Sequence, residues 1–139
     1  MYEKIYNLIK QNEIKGDFTY ANMTEKMCTE AEAELGLSIP PAYKWFLNTF
    51  GHGGIGGIEI IGIGKTGKML FVDATKKYRL YGLSNDLIVI ENCDEWVYCI
   101  DSKNNNILMW SIGNNKCTIA YKNFETYLVD RIHDVLENR

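Results

Sequence analysis

The chain has 139 residues, 46% apolar and 24% charged, with only two prolines; that balance excludes a disordered polymer. A chain of this length can bury roughly two-thirds of its unfolded surface without a metal or disulfide staple, so residues 1–139 are expected to form one domain with no cofactor and no metal. The formal charge of -3, from 15 basic and 18 acidic residues, is too small for general attraction to polyanions or lipid headgroups, so neither nucleic acid nor a membrane is expected as a direct ligand.

The opening Met1-Tyr2-Glu3-Lys4 has neither a basic n-region nor an apolar h-region, so no signal peptide is expected. No apolar run approaches the ~20 residues of a bilayer span, and a cytoplasmic location is expected. Tyr2, Ile5, Tyr6 and Ile9 recur at helical spacing and predict an amphipathic helix over residues 2–13, ending before Gly16. A second helix is predicted from Thr24, an N-cap residue, with Met27, Ala31 and Leu35 on one face and Gly36 as its stop. Pro40-Pro41 opens a third, where proline suits the first turn, and Tyr43, Phe46, Leu47 and Phe50 give its buried stripe.

Glycines at 51, 53, 54, 56, 57, 62, 64 and 67 then surround a β-prone Ile58-Glu59-Ile60-Ile61, which predicts a strand between tight turns. A short helix or irregular segment is expected over 72–81, closed by Gly82. Beyond it the period becomes two. The runs 87–90, 96–100, 107–112 and 117–121 are β-prone and separated by polar spacers, which predicts an antiparallel meander. Alternation places Trp96, Tyr98 and Ile100 on one face and Val97, Cys99 and Asp101 on the other. Asn123 is the N-cap of a closing helix whose apolar face holds Phe124, Tyr127, Leu128, Ile132, Val135 and Leu136. The fold class that follows is α+β: a central, mainly antiparallel sheet with N-terminal helices, a middle short helix and a C-terminal helix packed around it.

Several motifs imitate catalytic or nucleotide-binding signatures. Gly62 to Gly67 and Gly51 to Gly56 both spell G-x-G-x-x-G, but the rest of the chain lacks the βαβ units of a dinucleotide fold. Gly62 to Lys68 matches G-x-x-x-x-G-K, and Met69 to Asp73 imitates a Walker B strand. Met69 stands where a hydroxyl should reach magnesium, and a strand directly after Lys68 leaves no helix N-terminus for phosphate. His52 and His133 make no metal signature. His52 in the glycine loop could pair with Cys93 or Cys99, though nothing supplies an orienting residue. The four cysteines, Cys28, Cys93, Cys99 and Cys117, form no C-x-x-C pair and are expected as small buried thiols. The acidic turn holding Glu91, Asp94 and Glu95 is either solvated or part of a recognition surface for a basic partner.

In order, the helix pair, the stretch Leu35-Gly36-Leu37-Ser38-Ile39-Pro40-Pro41-Ala42-Tyr43-Lys44-Trp45-Phe46-Leu47 and the glycine loop 51–57 resemble the SUKH superfamily, which includes the Smi/Knr-type domains. Thr75 to Arg79, Leu87 to Glu91, Asp94 to Asp101 and Phe124-x-x-Tyr127-Leu128 look like the later blocks of that family, so the resemblance covers nearly the whole chain. Small bacterial members are linked to immunity against polymorphic secreted toxins, often nucleases. The resemblance implies an immunity protein (antitoxin) that neutralises a cognate toxin by stoichiometric binding and is not an enzyme. A regulatory protein-binding scaffold of the same fold is the alternative, and a nucleotide binder or enzyme built on the glycine loop and His52 is the third. Blocking a nuclease calls for carboxylates where phosphate would sit, which makes Asp73, Asp86, Glu91, Asp94 and Glu95 the candidate partner-binding residues.

Overall fold

The structure, a computed structural model, describes residues 2–113 and 116–138. Helix α1 (Glu3–Asn12) buries Ile5 and Ile9. Helix α2 (Glu25–Leu35) starts where Thr24 accepts the Met27 N–H at 3.2 Å and stops at Gly36, whose φ of 70° is the left-handed conformation that closes helices. Helix α3 (Pro41–Thr49) begins on the second of the two prolines, a position that needs no N–H. Its stripe, continued by Phe50, is the centre of the core: Tyr43, Phe46, Leu47 and Phe50 are all 0% exposed.

Two local expectations are corrected between α3 and the sheet. Residues 58–61 form no ladder strand. Ile60 makes only isolated bridges, to Gly53 and to Glu91, and the Ile61 N–H reaches the Ile90 carbonyl at 2.8 Å. The isoleucines carry the β preference, but the glycines on both sides supply no cross-strand side chains with which to extend pairing. After Lys68, where a strand was expected, the chain turns directly into the expected middle helix, α4 (Leu70–Arg79), which begins two residues before the segment read for it. Phe71, Val72, Thr75 and Tyr78 share its buried face, so packing overrides the β-prone look of residues 69–72.

The sheet is the expected antiparallel meander, β1 (Leu87–Asn92), β2 (Val97–Asp101), β3 (Ile107–Trp110) and β4 (Cys117–Tyr121), in the order β1-β2-β3-β4. Its inner face supplies Ile88, Ile90, Tyr98, Ile100 and Ile107 to the large core shared with the helices, including Phe124, Tyr127, Leu128 and Ile132 of α5 (Phe124–Glu137). Asn123 caps α5 by accepting the Thr126 N–H at 2.8 Å. The outer face carries Leu87, Val89, Val97, Cys99 and Trp110, packed with Tyr78 of α4 and Leu83. The alternation read for β2 therefore holds.

The two sheet edges are treated differently. At β1 the Thr75 hydroxyl accepts the Val89 N–H at 3.0 Å and donates to the Phe71 carbonyl at 2.7 Å, so α4 covers a backbone donor that an edge strand would otherwise leave open. At β4 no further strand follows among the described residues, and Cys117, Thr118 and Ile119 are exposed.

Candidate protein-binding surface

Glu91 leaves the candidate set. It is 4% exposed, where a residue of a solvated acidic turn was expected. The cause is a one-residue bulge: the β1–β2 register runs Val89 opposite Cys99 and then Glu91 opposite Tyr98, so Ile90 is the extra residue. Strict alternation would turn Glu91 outward, but the bulge returns it to the inner face beside Tyr98. There its Oε1 accepts from the Tyr127 hydroxyl at 2.6 Å and Arg131 Nε at 3.0 Å, and its Oε2 from Arg131 Nη2 at 2.6 Å. Hydrogen bonding to Glu91 holds the Arg131 guanidinium above its usual range, and burial, then the Glu91 charge, raises the Tyr127 phenol well above its own. This is a buried bidentate pair joining β1 to α5, with Arg131 also 5.6 Å over the Tyr98 ring.

The other four candidates are exposed or partly so, and the fold does not gather them. Asp73, in the first turn of α4, stands 3.7 Å from Lys68. Asp86 precedes β1, 3.4 Å from Lys103, and so lies at the opposite end of the β1–β2 hairpin from its tip. Asp94 and Glu95 sit together at that tip. The turn is held by the Asn92 side chain accepting the Asp94 N–H at 2.8 Å, by Cys93 N–H to the Trp96 carbonyl at 2.9 Å, and by Glu95 N–H to the Cys93 carbonyl at 2.8 Å. Asp94 has φ 67°, a conformation that aspartate and asparagine tolerate better than most residues. Among the described residues neither carboxylate has an ion-pair partner within 4.0 Å.

Beside them lies what the sequence reading missed. A groove of about 160 Å³ is lined by Tyr78, Trp96, Val97, Trp110 and Ile112, with Asp94 and Glu95 on its rim. Its Tyr78 and Trp110 rings meet edge to face, centroids 6.0 Å apart. Burial, then Cys99 and Asp94, raises the Tyr78 phenol. Along the same face and its margins, exposure rises away from α4: Trp110 is 3% exposed, Ile112 52% and Ile119 65%.

The glycine segment serves packing. A Cβ on Gly62 would lie 1.7 Å from the Gly51 carbonyl oxygen, and one on Gly53, at φ 123°, 1.9 Å from that of Asp17. The expectation that no helix could follow Lys68 is overturned by α4, yet its first amides are already engaged. Leu70 N–H bonds to the Lys68 carbonyl at 3.0 Å, Phe71 N–H to Gly62 at 3.2 Å and Val72 N–H to Met69 at 3.2 Å, which leaves no cradle of free donors for phosphate.

Both ring nitrogens of His52 are occupied. Nδ1 accepts the Gly62 N–H at 2.9 Å, so Nε2 carries the hydrogen and donates to Glu59 at 2.8 Å. Burial pushes the Cys93 thiol up to about 12 and raises Cys99 further above its ordinary range, the reverse of what activates a thiolate. The cysteines are free, but only Cys99 is fully buried: Cys28 and Cys93 are half-buried and Cys117 is exposed, which corrects the uniform expectation. No group of three or more His, Cys, Asp or Glu side chains suited to a metal occurs among the described residues, and none of the described helices is long and apolar enough to cross a membrane.

Comparison with known proteins accords with this architecture. A crystal structure of a protein from Pseudomonas syringae pv. tomato superposes with a TM-score of 0.67 at 20% identity, over 94% of this chain and 96% of that one, a likeness of fold. Residues 3–133 match the model of the family SUKH_5, described as SMI1-KNR4 cell-wall, so this chain belongs to the SUKH family.

Proposed function

We propose that the chain is an immunity protein, which binds a cognate secreted toxin one-to-one and blocks it without catalysing a reaction. The observation that carries this reading is the outer face of the sheet. α4 covers it over β1, while Ile112 and Ile119 lie open toward β4, and it is flanked by the carboxylates of Asp94 and Glu95, which have no ion-pair partner among the described residues. An apolar surface with carboxylates at its edge is the composition of a protein interface, the charge supplying orientation and selectivity. Carboxylates at the rim suit a nuclease, whose substrate cleft is basic. Family membership supports the same reading, since the SUKH family includes immunity proteins.

Co-expression with the toxin candidate encoded beside this gene is expected to restore growth, and calorimetric titration of the purified pair to give a single 1:1 transition. Failure to bind any neighbouring toxin candidate would sink the reading. A regulatory scaffold is the second reading, favoured by the reference to the cell wall in the matched family's description. A pull-down from cells lacking the toxin would then recover a housekeeping protein.

A further inference from the structure

The groove beside the hairpin tip has a size, a lining and a charge that together select its occupant. At about 160 Å³ it falls below the roughly 300–1,000 Å³ of cofactor and drug-sized clefts, and suits a single side chain. The aromatic and aliphatic side chains behind it are largely buried: Val97 is 2% exposed, Trp110 3% and Tyr78 9%. Its rim is Asp94 and Glu95, and the ion pairs that satisfy Asp73, Asp86 and Glu91 have no counterpart there among the described residues.

Two carboxylates beside a low-dielectric wall repel each other and attract a cation more strongly than the same pair in open water. Phosphate, carboxylate and nucleotide ligands are disfavoured by that charge, and an apolar side chain would leave both carboxylates uncompensated. Of the two long cationic side chains, lysine keeps a tightly hydrated point charge. Arginine is flat, weakly hydrated, compatible with aromatic edges and able to donate to two carboxylates at once.

We propose that the groove formed by Tyr78, Trp96, Val97, Trp110 and Ile112 receives an arginine side chain of the partner protein, held by Asp94 and Glu95. The inference deepens the immunity reading and rests on it for the partner's identity: the arginine would come from the basic cleft that the immunity protein occludes, and the groove would be the anchor point of the interface.

The test uses the intact, nitrogen-15-labelled chain and two probes, N-acetyl-arginine amide and its neutral isostere N-acetyl-citrulline amide. Arginine is expected to produce saturable shifts at the indole N–H groups of Trp96 and Trp110 and at the amides of residues 94–97, and citrulline none. Asp94→Asn/Glu95→Gln should abolish the arginine response while the rest of the spectrum stays unchanged, because both side chains are exposed and asparagine tolerates the Asp94 backbone. Equal shifts with citrulline, no shifts at all, or shifts that survive in the double variant would each overturn the proposal.

The same variant is then titrated with the neighbouring toxin, where at least a tenfold loss of affinity is expected. Unchanged toxin affinity would overturn the groove's place in the interface and leave the immunity reading standing. A groove that takes arginine in a chain that binds no toxin would remove the immunity reading and keep the site.

Discussion

The Glu91–Arg131 pair allows the sharpest test of the fold. In Glu91→Ala the Arg131 guanidinium, whose side chain is 20% exposed, loses both carboxylate oxygens, and the fully buried Tyr127 hydroxyl loses its acceptor. Breaking a buried pair from one side costs about 3–5 kcal/mol, because a charge remains without its partner. Asp134, 3.7 Å from Arg131, can take up part of that charge, which places the expectation near the lower figure, about 3 kcal/mol. With a urea slope of about 2 kcal/mol/M for a domain of this size, the midpoint should fall by ~1.5 M. A surface glutamate, as the sequence pattern alone would have Glu91, costs no more than about 0.5 kcal/mol when replaced. A midpoint shift below ~0.3 M would therefore refute the buried-network assignment. Glu91→Leu combined with Arg131→Met should recover most of the loss, since apolar replacement of both partners removes the desolvation penalty along with the attraction.

Stability should fall on the alkaline side. Burial raises Tyr43 and Tyr127 well above 10, and Cys93 and Cys99 above 9, so the folded chain keeps protons that the unfolded chain releases. The contribution is complete below about pH 9 and is lost as pH rises, by ~1.4 kcal/mol per pH unit for each group once its unfolded form is ionised. Urea titrations should show this decline, with a shallower slope above pH 10 in Tyr127→Phe, and a flat profile from pH 9 to 11 would contradict it. Gly62→Ala should cost roughly 2–4 kcal/mol through collision with the Gly51 backbone, whereas Gly64→Ala, whose Cβ finds ordinary contacts at 3.5 Å or more, should cost under ~1 kcal/mol. Equal effects in thermal melts would show that the loop's glycines are not there for packing. Cysteine labelling followed by mass mapping should modify exposed Cys117 in the native chain and Cys99 only with unfolding. Simultaneous modification of the two would contradict the covered outer face beside β1.

Most of the architecture was legible because local and tertiary preferences agree. Thr24, Gly36 and Asn123 mark helix ends by chemistry that works within a few residues, and the stripe from Tyr43 to Phe50 has one period and one buried side. The disagreements occur where a short signal competes with packing. Residues 69–72 look β-prone, yet Phe71 and Val72 reach the core and Thr75 reaches the Val89 amide only if the segment is helical. Residues 58–61 carry β-branched side chains without neighbours on which a ladder could be extended, so their preference survives as isolated bridges.

The candidate surface was harder to read because its members come from different elements. A composition count sees Glu91, Asp94 and Glu95 as one acidic turn, but the extra residue at Ile90 sends Glu91 into the core, while the turn that follows keeps the other two outside. That parity change also explains why acidity alone is a poor guide here: Glu91 is consumed by Arg131, Asp73 and Asp86 lie beside lysines, and the two carboxylates left at the hairpin tip border an aromatic floor assembled from α4 and β3. Tyr78 and Trp110 carry no mark in the sequence that separates them from ordinary core residues. They become parts of a groove only because α4 crosses the outer face near β1 and stops short of β4, a consequence of tertiary packing that no local pattern encodes.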